Sequence, residues 1–243
     1  MVRIAHISDF HVGYANFRED LLLRAINKIN ESKPDAIIIT GDLTDQGYYL
    51  EYKKAKEYVE LLEAPCLVIP GNHDARNIGD VSFEDIFGTR FDTLELEDVA
   101  VKIIGLDSSE PDMDHGKIGR AQRIWMENEI DDANRRGFFI IIALHHHIIS
   151  IPKTGRERNV LSDAGDILLT LIKNNVNLVL SGHKHMPHIW EMKNTVFATA
   201  GTVSSLKLRG KDLPSYNMIE IENQYIKIML HDSEGNTHLL KKP

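Results

Sequence analysis

The stretch DAIIITGD, residues 35–42, carries the apolar residues Ala36 to Ile39 in unbroken succession, then Thr40, then Gly41-Asp42. Apolar residues in sequence, without polar alternation, are what a strand needs when it is covered on both faces. RIAHIS (3–8) before it and CLVIP (66–70) after it read in the same way. Between these runs lie two helical patterns. REDLLLRAINKINES (18–32) places Leu21, Leu22, Ala25, Ile26 and Ile29 on one face, and LEYKKAKEYVELLE (50–63) does the same with Tyr52, Ala55, Tyr58, Val59 and Leu62. The resulting β-α-β-α-β order implies parallel strands joined by right-handed crossovers.

Working outward, further strands are predicted at 99–106, 138–144, 176–181, 195–200, 216–221 and 225–230, with helices around 120–135, after Gly119, and 163–173. The last three strands follow one another without helices, which predicts an antiparallel portion. Residues 75–83, 107–119, 150–162 and 201–215 read as irregular loops, the usual rims of sites. With no internal repeat, low-complexity tract or Pro/Gly/Ser linker, the expectation is one domain over residues 1–243.

A net charge of −8 argues against bulk nucleic acid as a partner, because phosphate backbones require clustered Lys and Arg. The single cysteine, Cys66, excludes an intramolecular disulfide and a thiolate zinc site, and reads as a buried structural thiol. MVRIAHIS lacks the features of a signal peptide, and no apolar stretch approaches the ~20 residues that span a bilayer, so no membrane association and a cytoplasmic location are expected. Twelve histidines remain to be accounted for.

Their placement is ordered. RIAHIS ends in Asp9-Phe10-His11, DAIIIT in Gly41-Asp42, CLVIP in Gly71-Asn72-His73-Asp74, FFIIIAL in His145-His146-His147, and VNLVLS in Gly182-His183-Lys184-His185. Ligands of open α/β sheets gather at the carboxyl ends of strands. Carboxylate, imidazole and amide oxygen donors without thiolate suit divalent metals, with imidazole favouring Mn, Fe or Zn over Mg or Ca. A carboxylate shared by two ions would make a two-metal site fit for displacement at phosphorus. Gly41, Gly71 and Gly182 are read as places where the backbone turns sharply.

These segments resemble the calcineurin-like metallophosphoesterase superfamily, whose pattern is Asp-x-His, Gly-Asp, Gly-Asn-His-Asp/Glu, a lone or paired His after a strand, and Gly-His-x-His. All five occur in order between residues 9 and 185, in a layout similar to the class III cyclic nucleotide phosphodiesterases. The resemblance implies a four-layer α/β/β/α sandwich of two mixed sheets. It also implies two divalent ions: Asp9, His11 and His185 on the first, Asn72, His183 and one histidine of the triplet on the second, with Asp42 bridging. His73 then stands near the leaving-group oxygen as general acid or charge stabiliser. Within the triplet the family's ligand directly follows the strand, which selects His145; His147 occupies the usual proline position, and a slip of one residue would select His146 instead.

The implied reaction is hydrolysis of small phosphodiesters, such as cyclic nucleotides, by a hydroxide bridging the two ions. A phosphomonoesterase or a nuclease of the same superfamily is the alternative, and a homodimer is compatible with the reading. From another class comes a metal-free interaction module, although every expected ligand position holds a competent residue. The remaining candidates have plainer readings. Asp45 reads as a turn residue or helix cap, Asp74 as structural or as a partner of His73, and Phe10 as core. His146 and His147 read as exposed loop histidines, with one of them a candidate for lining the substrate pocket, and His188 as a bystander. Arg76, Lys207, Arg209 and Lys211 are solvated loop charges or contacts for a substrate's phosphate, and Tyr14 is a candidate for stacking on a base.

Overall fold

A computed structural model describes residues 1–154, 160–208 and 212–242. Its first half runs β1 (Val2–Ile7), α1 (Glu19–Ser32), β2 (Ala36–Thr40), α2 (Tyr49–Val59), β3 (Cys66–Ile69), α3 (Gly79–Phe87), β4 (Asp92–Leu96) and β5 (Val101–Leu106). The second half runs α4 (Gly119–Arg136), β6 (Phe139–Leu144), α5 (Ala164–Lys173), β7 (Leu178–Ser181), β8 (His188–Met192), β9 (Thr195–Thr199), β10 (Ser215–Glu222), β11 (Tyr225–Asp232) and β12 (Thr237–Lys241).

The strands form two mixed sheets, ordered β12-β11-β10-β1-β2-β3 and β4-β5-β6-β7-β9-β8. In β2, Ala36 and Ile38 face the other sheet while Ile37 and Ile39 face the helices, and all four are wholly buried. Burying each isoleucine is worth about 1.5–3 kcal/mol, which is why the run contains no polar position. The second sheet repeats the device: Phe139, Ile141 and Ala143 of β6 meet the first sheet, and Ile140, Ile142 and Leu144 meet α4 and α5. With α1 and α2 on the outer face of the first sheet, the architecture is the expected four-layer α/β/β/α sandwich.

The parallel pairs β1-β2-β3 and β5-β6-β7-β9 bring the segments after β1, β2, β3, β6 and β7 to one edge. Three expectations need correction. Residues 79–83, read as part of an irregular loop, belong to α3, because Phe83 and Phe87 pack with Tyr52 in an aromatic cluster. The strands β4, β8 and β12 went unread; each is a sheet edge that buries little, so none has a continuous apolar run. Finally, the antiparallel portion expected of the last three predicted strands holds for two of them. β9 lies parallel to β7 in the second sheet, whereas β10 and β11 pair antiparallel in the first.

Candidate metal centre

Five of the expected site residues have left-handed backbone: Asp9 (φ 58°), His11 (φ 55°), Asp42 (φ 52°), His183 (φ 73°) and His185 (φ 54°). Such a conformation costs about 1–2 kcal/mol for a residue with a Cβ, although Asp and His tolerate it better than most. Here the surrounding loops enforce it. Asp9 N–H donates to Gly41 O and His11 N–H to Asp42 O, each at 2.9 Å, and Gly182 N–H donates to His145 O at 3.0 Å. On the other side Thr202 Oγ1 donates to Asp9 O at 2.6 Å and Ser204 Oγ to Phe10 O at 2.9 Å. These two hydroxyls carried no sequence signal, since their partners are main-chain atoms nearly two hundred residues away.

The side chains form two donor groups. In the first, His11 Nε2 lies 2.9 Å from His185 Nε2, and Asp9 Oδ1 lies 3.2 Å from His185 Nε2 and 3.8 Å from His11 Nε2. In the second, Asn72 Oδ1 lies 2.9 Å from His183 Nδ1 and 3.1 Å from His145 Nε2, and the two imidazole nitrogens are 3.3 Å apart. Asp42 Oδ2 touches both groups, 3.7 Å from His11 Nε2 and 3.3 Å from His145 Nε2.

This spacing fits metal binding. Ligands about 2.1 Å from a common cation lie roughly 3.0–3.4 Å from each other, and the donor atoms here cluster around that separation. Asp9 Oδ1 is buried with no hydrogen-bond donor, a costly condition for a carboxylate that a cation relieves. Backbone carbonyls fix the imidazoles: His145 Nδ1 donates to Thr40 O at 2.7 Å and His185 Nδ1 to Lys207 O at 2.6 Å, so that Nε2 of each faces the centre and offers a lone pair once a cation displaces any proton there. Burial pushes His11 down to about 3, so it too offers a lone pair. Burial opposes ionisation of Asp42, but with no cation bound the positive charges of His145 and His73 outweigh it and hold the carboxyl well below its usual range. Burial likewise opposes protonation of His145, and the Asp42 and Asp9 charges outweigh it and push His145 up to about 9, so that a cation competes with that proton.

Neighbouring groups lock the bridging segment. Asp42 Oδ1 accepts the His73 N–H at 2.8 Å. The buried Asp74 carboxylate accepts the N–H groups of Leu43, Thr44 and Gly71 and the Thr44 hydroxyl, tying the loop after β2 to the loop after β3. Of its two expected roles, the structural one is therefore observed. His73 is oriented by Asp45 instead, whose carbonyl accepts from Nδ1 at 2.7 Å and whose carboxylate lies 3.3 Å away. Asp45 is thus not the helix cap, a position that Tyr48 fills.

Of the triplet, His145 joins the donor group and its neighbours do not. His146 and His147 are buried, contrary to their reading as exposed. His146 Nδ1 pairs with Ser108 Oγ at 2.9 Å, and the ring of His147 stacks on that of His183. His188 is half-buried against Trp190, and Phe10 is core as expected. A cavity of about 400 Å³ opens onto Asp42, Asn72, His73, His183 and His185, with Arg76, Asp114 and Lys207 around it. Tyr14 stands beside His11, with Lys207 Nζ 5.7 Å from its ring centre. Arg209 and Lys211 lie outside the described residues.

The chain resembles known proteins over the region that carries this site. It is 36% identical over 176 residues to a probable glycerophosphodiester phosphodiesterase of Arcobacter nitrofigilis, covering 64% of each chain. It is 29% identical over 196 residues to the 3',5'-cyclic adenosine monophosphate phosphodiesterase of Escherichia coli K12, covering 76% of this chain and 70% of that one. Among solved structures, a dimetal phosphatase from Danio rerio superposes with a TM-score of 0.75 at 11% identity, over 100% of this chain and 99% of the other. No helix among the described residues is long and apolar enough to cross a membrane. The profile of the calcineurin-like phosphoesterases matches residues 2–187, which hold all five donor segments, and the chain belongs to that family.

Proposed function

We propose that this protein hydrolyses small phosphodiesters at a centre of two divalent cations, one held by Asp9, His11, Asp42 and His185, the other by Asp42, Asn72, His145 and His183. The observation that carries the reading is Asp42 Oδ2, a single carboxylate oxygen within 3.7 Å of one donor group and 3.3 Å of the other. Mn, Fe or Zn suits this mixture of imidazole and oxygen donors. When bound, such a pair supplies a water of lowered pKa and positive charge for the phosphoryl oxygens.

The chain's own residues do the rest. With Nδ1 occupied by the Asp45 carbonyl at 2.7 Å and the Arg76 guanidinium at 3.0 Å, His73 keeps Nε2 to pass a proton to the departing ester oxygen. The Asp45 carboxylate lies 3.3 Å from the same Nδ1 and helps to hold the ring in place. Arg76 and Lys207 at the cavity draw in an anion. Cyclic nucleotides and glycerophosphodiesters are the substrate classes that the relatives' names support.

A panel of cyclic nucleotides, a glycerophosphodiester, bis(nitrophenyl) phosphate, nitrophenyl phosphate and single-stranded DNA, run with added Mn, tests the reading. Turnover of small diesters, lost in Asp42→Ala, is the expected result. Turnover of monoesters or DNA alone would move the protein to the other branches of the family, and trace metal content without turnover would leave an interaction module.

A further inference from the structure

We propose that Asp114 sets substrate charge: held against the Arg76 guanidinium beside the metal centre, its carboxylate favours phosphodiester monoanions over phosphomonoester dianions. The inference rests on the phosphoesterase reading above and deepens it.

Asp114 is fixed in place although its side chain is exposed. Its loop is pinned to the segment after β3, where Asp112 N–H donates to Ala75 O at 3.2 Å and Asp112 Oδ1 accepts Asn77 N–H at 3.0 Å. The base of the loop is pinned by Ser108, whose carbonyl accepts Lys117 N–H at 3.0 Å and whose hydroxyl accepts His146 N–H at 3.1 Å. Asp114 Oδ1 then accepts from Arg76 Nη2 at 2.9 Å and from Asn72 Nδ2 at 3.4 Å. Asn72 turns its other amide atom, Oδ1, to His145 and His183, so one amide group separates the carboxylate from the donor cluster.

The charge of Arg76 is therefore opposed within the cavity. A monoester is largely dianionic above its second pKa of about 6, whereas a diester carries one negative charge at any neutral pH. The additional charge of the monoester enters a cavity that already holds the Asp114 carboxylate, and like charges at close range are strongly disfavoured. The second ester group of a diester is neutral and meets no such opposition.

Asp114→Asn removes the charge and keeps an acceptor for both Arg76 and Asn72. In the Mn-loaded protein, kcat/KM is measured for nitrophenyl phosphate and bis(nitrophenyl) phosphate, and inorganic phosphate binding by calorimetry, with Mn content as control. The expected result is a monoester-to-diester ratio raised about tenfold and phosphate bound about tenfold more tightly, a change of the size that screening leaves to a partly exposed charge. Asp114→Glu, which restores the charge, should return both toward wild type. Unchanged ratio and phosphate affinity in Asp114→Asn, or Asp114→Glu behaving like Asp114→Asn, overturns the proposal. Absence of any diester turnover in the wild type would instead sink the functional reading, and phosphate calorimetry would still decide the role of Asp114.

Discussion

The Nδ1 atom of His145 lies 2.7 Å from the carbonyl oxygen of Thr40, so the end of β6 in one sheet is hydrogen-bonded to the end of β2 in the other. This bond aims Nε2 at Asp42 and Asn72, while His146 turns to Ser108. His145→Ala should therefore lower affinity for one cation by at least about 100-fold. His146→Ala should keep two cations per chain, yet lose a buried hydrogen bond worth about 1–3 kcal/mol and melt about 3–10 °C lower. Metal content and melting temperature of both variants check this; a missing cation in His146→Ala with full occupancy in His145→Ala would reverse the assignment.

Asp74 gives the second test. Its removal leaves the buried N–H groups of Leu43, Thr44 and Gly71 without their acceptor. At about 1–3 kcal/mol for each unsatisfied group, Asp74→Ala should lose several kcal/mol of a total that is only about 5–15. Urea unfolding should show a midpoint far below that of wild type. A midpoint shift equivalent to under about 1 kcal/mol would show that another group holds the two loops together.

How much of this was legible follows from what each residue contacts. Buried strands announce themselves, since β2 and β6 have no face on which a polar residue is tolerated, and the donor residues directly follow such strands. Asp45 and Asp114 were not legible as site residues. Asp45 acts partly through its carbonyl, which every residue possesses, and Asp114 reaches Arg76 only because the path of residues 107–119 returns to the segment after β3. The burial of His146 and His147 was equally hidden, because it depends on packing against Ser108 and His183 from distant parts of the chain.

His6 predicts acid sensitivity. Its imidazole is wholly buried in the first sheet, with Nε2 3.0 Å from Thr40 Oγ1, and burial pushes it from 6.5 to about 3. The unfolded chain binds a proton that the folded chain refuses, so this contribution is complete above about pH 6.5 and is lost as pH falls toward 3. Between pH 6.5 and 5 the loss is roughly 2 kcal/mol, at about 1.4 kcal/mol per pH unit. Denaturant unfolding at pH 7.5 and 5.0 should show His6→Gln losing less stability on acidification than wild type; equal losses would show that His6 does not cause the sensitivity.

Cys66, the only thiol, sits at the start of β3, the end of the strand away from Asn72. It is half-buried rather than buried as expected; that partial burial pushes it up to about 11, and its Sγ lies 3.3 Å from Ala64 O. A disulfide reagent at pH 7.5 should therefore label it about 100-fold more slowly than a free cysteine of pKa about 8.5. The rate should rise about tenfold per pH unit up to pH 10. A pH-independent labelling rate would locate the limit in access to the thiol rather than in its ionisation.

Gly182 carries the last test, and its reason differs from the sharp turn expected for it. Gly41 does take φ 84°, but neither Gly71 nor Gly182 is among the residues of positive φ. What these two require is space. A Cβ on Gly71 would stand 2.2 Å from Asp42 Oδ1, and one on Gly182 would stand 2.0 Å from Ser8 Oγ and 2.6 Å from Asp9 Oδ2. Ser8 Oγ donates to Thr40 O and Asp9 Oδ2 accepts the His183 N–H, so neither atom retreats without breaking a bond within the site. Gly182→Ala should displace Asp9 and lower metal affinity about 10–100-fold, the usual effect of disturbing the support of a ligand. Gly165, near the start of α5 with nothing within 4 Å of an added Cβ, is the control: Gly165→Ala should keep its cations and gain up to about 1 kcal/mol from helix propensity. Wild-type metal content in Gly182→Ala would mean that Asp9 has room to move and that the close packing of these loops does not position it.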